Sequence, residues 1–391
     1  MVRDPASLAG QIGLSRRGFL SAAGASALAL VPPRLPGPTA ICHFSTMGLK
    51  AHTRPNDTRE LSVRELQAAM SSGELTSRTL VENCLGRIAE LDGRGPTLRH
   101  ILETNPDALA LADQLDRERA IGAVRGPLHG VPILLKDNID TADRMATTAG
   151  SLALEGSRAA RDAFLAERLR KAGAVLLAKT SMSEWANFRS SRSSSGWCSR
   201  GGQGKNPYAL DRTPCGSSSG TAGGVAANYA PIGIGTETDG SITCPAATVC
   251  LVGIKPTVGL VSRSGIIPIS ATQDTAGPIC RTVEDAAILL GAIAGADPND
   301  AATLVAGRRS VIDLTQFLDA AALKGKRLGI TRKVFTGYHD QTDRLFEAAL
   351  EALRALGAIL VDPADLRHAD DKGDAEFEVL LYEFKAGVNA Y

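Results

Sequence analysis

The chain has 391 residues, 44% hydrophobic and 22% charged, with 40 glycines, which is the composition of a folded globular protein able to bury a sizeable core. Its 43 basic and 42 acidic side chains leave a net charge of +1 without a sustained run of either sign, and this excludes nucleic acid or an anionic membrane as the expected main partner. Aromatic residues are only 4% of the chain, too sparse for platforms that stack bases.

Near the N-terminus, Ser15-Arg16-Arg17-Gly18-Phe19-Leu20 precedes an apolar run from Ser21 to Val31 and then Pro32-Pro33. This order reads as a twin-arginine export signal, with 1–46 as signal and linker and 47–391 as one domain; an ordinary arginine pair at a helix start is the alternative. The run falls short of the roughly 20 residues that cross a bilayer, so it is expected to be a removable address to the periplasm and not a stable membrane anchor. Cys42 follows the bulky Ile41, which makes a poor lipoprotein signal. The seven cysteines, Cys42, Cys84, Cys198, Cys215, Cys244, Cys250 and Cys280, are odd in number in a chain too large to need staples, and most are expected to be small buried apolar residues. With no CxxC, no HExxH and scattered histidines, no metal site is expected.

From about Asp57 the pattern becomes helical. Ser62-Val63-Arg64-Glu65 is a capping box, and Thr76 can cap a second helix with Leu80, Cys84, Ile88 and Leu91 on one face. A third helix is predicted from Asn105-Pro106 towards Glu118, with proline at its first position. Pro132–Leu135 and Ala174–Leu177 are continuous apolar runs, as in strands buried on both faces, with a helix over Ala160–Lys171 between them. Gly196–Gly204 reads as a surface loop, and Thr221–Tyr229 as an Ala/Gly helix. A strand at Arg327–Ile330, a helix from Thr342 to Gly357 and a strand at Ala358–Val361 complete an α/β pattern around a central mixed β-sheet.

The chemistry concentrates in CGSSSGTAGGVAANYAPIGIGTETDGSITCPAATVCLVGIKPT, Cys215 to Thr257, and upstream in GVPILLKDNID around Lys136. Gly240 before Ser241 lets backbone N–H groups turn inward, although Asp239-Gly240 also fits a plain hairpin turn. Lys136 ends an apolar strand, where desolvation lowers a lysine pKa; half of a salt bridge with Asp137 is the other reading. GSSSG also fits a flexible linker, or a nucleophile elbow centred on Ser218.

Together these segments resemble the amidase signature family, whose members use Ser, a second Ser and Lys. The resemblance covers roughly Glu60 to the end and is strongest over Gly130–Thr148, Lys179–Ala186 and Asn206–Pro278. It implies an α/β fold with a central mixed sheet surrounded by helices. It also implies Ser241 as nucleophile, Ser217 as a bridging serine in a cis peptide, Lys136 as base, and the amides of Thr238, Asp239, Gly240 and Ser241 as oxyanion hole. An amidase of this kind takes a small amide or peptide amide and needs no cofactor; oligomeric state is not encoded. The blocks TETDGSITCPAA, GIKPTVGLVSR and QDTAGP most resemble the bacterial peptide amidase branch, which removes C-terminal amides. A glutaminase-type amidotransferase subunit, or a non-catalytic remnant, are the other readings. Cys250 stands where the family has glycine, a change expected to alter packing alone. The family continues beyond the equivalent of Tyr391, so the C-terminal part is expected to be missing, with Val379, Leu380, Leu381 and Phe384 uncovered and the chain poorly soluble.

Overall fold

The computed structural model describes residues 57–305, 313–369, 371 and 373–391; the arginine pair, the apolar run behind it and Cys42 lie outside them. The described residues fall into two compact units, one from Pro55–Ala322 with Leu380–Tyr391, the other Leu323–Val379.

The first unit opens with helices α1 (Val63–Ser72) and α2 (Ser77–Leu91). The capping box at Ser62 and Glu65 is formed, and Thr76 Oγ1 accepts from Thr79 N–H at 3.0 Å. Leu80, Cys84 and Ile88 of α2 are buried. Strand β1 (Ile101–Thr104) precedes helix α3 (Ala108–Ala120), with Asp107 at its N-cap position. Pro106 therefore lies before the helix, because Asn105 is held in the sheet's neighbourhood: its N–H and Nδ2 donate to the carbonyls of Leu177 and Leu176, both at 2.8 Å. Then come β2 (Pro132–Lys136), α4 (Phe164–Lys171) and β3 (Val175–Thr180). Helix α4 begins later than its sequence pattern suggests, since Asp162 instead ties Ala142 N–H and Arg170. Segment 196–204 is a part-buried hairpin of β4 (Trp197–Cys198) and β5 (Gly202–Gln203) with Cys198 fully buried, not a free surface loop.

Helix α5 (Ser219–Ala226), β6 (Ile232–Glu237), helix α6 (Thr243–Thr248), β7 (Val252–Gly253), β8 (Thr275–Cys280) and α7 (Val283–Ile293) follow. Six strands form the mixed sheet in the order β1-β3-β2-β6-β8-β7, with β3, β2 and β6 parallel and the others antiparallel to their neighbours. All residues of β2, β3, β6 and β8 are buried, as expected of strands covered on both faces. Leu135 pairs with Ile234, so the carboxyl ends of β2 and β6 finish side by side. That edge is where open α/β sheets place their ligands. Helix α5 packs close over the sheet: a Cβ at Gly220 would stand 2.4 Å from Ser181 O.

In the second unit β9 (Arg327–Gly329) pairs in parallel with β10 (Ile359–Val361), connected through helix α8 (Asp340–Ala355). The sequence places these strands with the central sheet; they form a sheet of their own, and no linker signal marks Leu323. Helix α9 (Gly373–Ala390) begins in this unit. Val379 and Leu381 on it are exposed, whereas Phe384 packs against Phe188 at 4.9 Å and Trp185 at 6.4 Å between ring centroids. Among the described residues no helix is long and apolar enough to cross a membrane.

Cys250 is exposed, with φ at +59°. The glycine that the family pattern places there serves a left-handed backbone, so the departure acts on conformation and not on packing. Cys250→Gly is expected to raise the unfolding free energy by about 0.5–1 kcal/mol, the left-handed penalty less the added freedom of the unfolded chain. Denaturant melts of the two proteins measure it; an unchanged or lower midpoint would contradict this account.

Candidate active site

Lys136 closes β2 with its side chain fully buried. Its Nζ lies 2.7 Å from Ser217 Oγ, 3.0 Å from Thr236 O and 2.9 Å from Thr236 Oγ1. These contacts suit a neutral amine: two N–H groups reach the Thr236 oxygens and the lone pair meets the Ser217 hydroxyl. Burial depresses the Lys136 pKa to about 7, against the more distant charges of Asp274 and Glu237, which favour the ammonium. The neighbouring Asp137 points elsewhere, as strand alternation requires. Its carboxylate accepts from Thr148 Oγ1 and from Gly150 N–H at 2.9 Å, with Arg200 3.9 Å away. The salt-bridge reading of Lys136 and Asp137 is thus not what the fold builds.

Ser217 follows a cis Gly216–Ser217 peptide, and its carbonyl accepts from Ser183 N–H at 3.0 Å. Ser217, Ser218 and Ser219 are all buried, so GSSSG is core and not a linker. Ser218 N–H donates to Ser241 O at 3.1 Å, which brings the two serine turns together. Ser241 is itself 8% exposed, beside the fully buried Ser217 and Lys136. The Ser218 hydroxyl is shared with the backbone of Thr236, donating to its carbonyl at 3.1 Å and accepting from its N–H at 3.2 Å. The downstream histidines are engaged locally: His339 caps α8, and His368 pairs with Asp371. With no strand leading into Gly216, an elbow at Ser218 has neither its base nor its geometry.

The turn from Thr238 to Ser241 leads from β6 into α6 and is not a hairpin. Its organiser is Glu237, which sequence reading passed over. One carboxylate oxygen accepts from Gly240 N–H at 2.9 Å, the other from Ile242 and Thr243 N–H at 2.7 and 2.9 Å. Gly240 has φ +78°, a left-handed residue with nothing near an added Cβ. Of the amides expected to hold an oxyanion, that of Gly240 is therefore engaged by Glu237. Thr238 Oγ1 donates to Asp274 at 2.5 Å, and Asp274 also accepts from Ile269 and Ser270 N–H, fixing the far wall of the turn. Burial raises the Asp274 pKa. Among the described residues no group of His, Cys, Asp and Glu could hold a metal ion.

The six-stranded mixed sheet thus carries, at its carboxyl edge, a buried lysine in contact with one of two joined serine turns. The Amidase family profile matches residues 79–391, and the chain belongs to that family. It is 48% identical to an Arabidopsis thaliana protein described as a probable amidase, over 85% of this chain and 64% of that protein. The crystal structure of peptide amidase from Stenotrophomonas maltophilia superposes with a TM-score of 0.83 at 55% identity, covering 86% of this chain and 68% of that one. A glutamyl-tRNA(Gln) amidotransferase subunit of Chloroflexus aurantiacus is 41% identical over 78% of this chain and 61% of its own. The chain thus spans about two thirds of the length of these relatives.

Glu237→Gln tests the organiser. An amide places an NH2 group against backbone donors and removes an acceptor, a loss of about 2–3 kcal/mol. Hydrogen exchange at Gly240, Ile242 and Thr243 is expected to accelerate accordingly, with the sheet amides unaffected. Unchanged protection at these amides would show that Glu237 does not hold the turn.

Proposed function

We propose that the protein is an amidase that hydrolyses a carboxamide C–N bond through an acyl-enzyme on Ser241. The observation that carries this reading is the 2.7 Å contact between the Nζ of the fully buried Lys136 and the Oγ of the fully buried Ser217, whose turn is bonded to that of Ser241. Neutral Lys136 takes the Ser217 proton as Ser217 takes that of Ser241, whose oxygen attacks the carbonyl carbon. The N–H groups of the Thr238–Ser241 turn receive the oxyanion, with that of Gly240 shared with Glu237. The C–N bond breaks as the proton returns through Ser217 to the leaving nitrogen. Water, deprotonated by the same route, then releases the acid and frees Ser241.

The finer reading is a peptide C-terminal amide as substrate, supported by the 55% identity to the peptide amidase. A glutaminase-type role draws on the similarity to the glutamyl-tRNA(Gln) amidotransferase protein, but a twin-arginine segment suits an exported hydrolase better than a component of a cytosolic complex. Export to the periplasm is accordingly part of the proposal.

A fluorophosphonate probe followed by peptide mapping is expected to label Ser241; label on Ser218 would contradict the assignment. Because the base works only when deprotonated, amide turnover should be low below pH 6 and rise through an apparent pKa near the value of about 7 held by Lys136. Lys136→Ala should lose a factor on the order of 10²–10⁴ at pH 7 with its circular dichroism retained. A variant of near-normal rate and pH profile would remove Lys136 from the mechanism.

Replacing Arg16 and Arg17 together by lysine should leave the protein in the cytoplasm with its N-terminus uncleaved. Undiminished periplasmic recovery would exclude this export route.

A further inference from the structure

Among the described residues two cysteines are joined: Cys215 and Cys244 form a disulfide with Cα atoms 6.2 Å apart. Their positions set them apart from Cys84, Cys198 and Cys280, which are free and buried. Cys215 stands immediately before the cis Gly216–Ser217 peptide, and Cys244 lies in the first turn of α6, just after the Ser241 turn. The bond therefore ties the turn of the bridging serine to the turn of the nucleophile.

Two further observations show that these turns need holding. Cys215 has φ at +63°, a left-handed backbone that a residue with a Cβ does not adopt unless its surroundings impose it. The direct backbone bond between the two serine turns is Ser218 N–H to Ser241 O at 3.1 Å. The other restraints on each turn run to different elements, Ser183 and Lys136 for Ser217, and Glu237 for the Ser241 turn. A proton relay between two hydroxyl groups requires their separation to be kept to tenths of an ångström, and a misplacement of 1 Å costs on the order of a hundredfold in rate.

We infer that the Cys215–Cys244 disulfide is a positioning element of the catalytic relay, clamping the Ser217 turn to the Ser241 turn so that the enzyme works fully only when oxidised. This rests on the amidase reading above and goes beyond it, since it makes the activity depend on an oxidising compartment. A purely structural cross-link would raise global stability and leave turnover by the folded protein unchanged.

The test uses the full chain in three forms: oxidised, reduced with a water-soluble phosphine, and Cys215→Ala with Cys244→Ala. Reduction breaks the S–S bond, leaves two thiols that gain two electrons and two protons, and converts the phosphine to its oxide with oxygen from water. At a temperature where all three forms are folded by circular dichroism, kcat on a peptide amide and the rate of fluorophosphonate labelling at Ser241 should fall about tenfold or more in the reduced and double-alanine forms, with KM within about twofold. Amide exchange at 216–219 and 238–244 should accelerate in both, while β2 and β3 keep their protection. A lower melting temperature with unchanged kcat and unchanged local exchange would overturn the proposal, as would non-reducing peptide maps showing Cys215 and Cys244 as thiols in the periplasmic protein. If the oxidised form neither turns over amides nor takes label at Ser241, the amidase reading fails by itself. The exchange data still decide whether the disulfide orders the two turns.

Discussion

A lysine ammonium taken out of water must meet an anion or give up its proton, because desolvation of an unpaired charge costs far more than neutralising it. Lys136 meets no anion. All its contacts are neutral oxygens, Ser217 Oγ and the two oxygens of Thr236, while the nearest carboxylates act from a distance and do not offset the burial. The rest of the site follows from this one constraint. The amine can lose its proton near neutral pH because it is buried, and it is buried because it ends a strand in mid-sheet. Ser217, bonded to the amine, is as fully buried as the amine itself.

The sheet supplies the alignment. Parallel pairing of β2 with β6 brings the end of one strand, Lys136, beside the end of the other, Thr236 and Glu237. Three carboxylates around this edge have different tasks. Asp137 secures the loop at Thr148 and Gly150, Asp274 braces Thr238, and Glu237 gathers the amides of the Ser241 turn. Each is matched by N–H or O–H donors and not by Lys136 itself, and this keeps the amine free of a direct ion pair. A carboxylate in contact with Nζ would restore the ammonium and remove the base.

The sequence was legible where structure is local. Continuous apolar runs located β2 and β3, the caps at Ser62 and Thr76 located two helices, and the chain-local motifs located Lys136, Ser217 and Ser241 at one site. The illegible parts were long-range. Glu237 reads as one more residue of an extended TETDG stretch, since nothing local shows that its carboxylate will meet amides beyond the turn. The pairing of Cys215 with Cys244 could not be read from an odd set of seven, because spacing does not fix connectivity. Strands β9 and β10 carry the same helix, glycine, strand pattern as the central sheet, and only tertiary contacts separate them into their own unit. The sequence named Pro106 as a helix start because proline suits that position; hydrogen bonds from Asn105 to β3 took precedence.

The central claim is that burial lets Lys136 lose its proton near pH 7, and the titration of its own nitrogen tests it most directly. With 15N-labelled lysine side chains, and Lys136→Arg to assign the resonance, the Nζ signal can be followed from pH 5 to 11 in the folded protein. The account predicts a midpoint near the value of about 7. A Lys136 midpoint at or above 10 would show an ordinary ammonium at neutral pH and contradict the account.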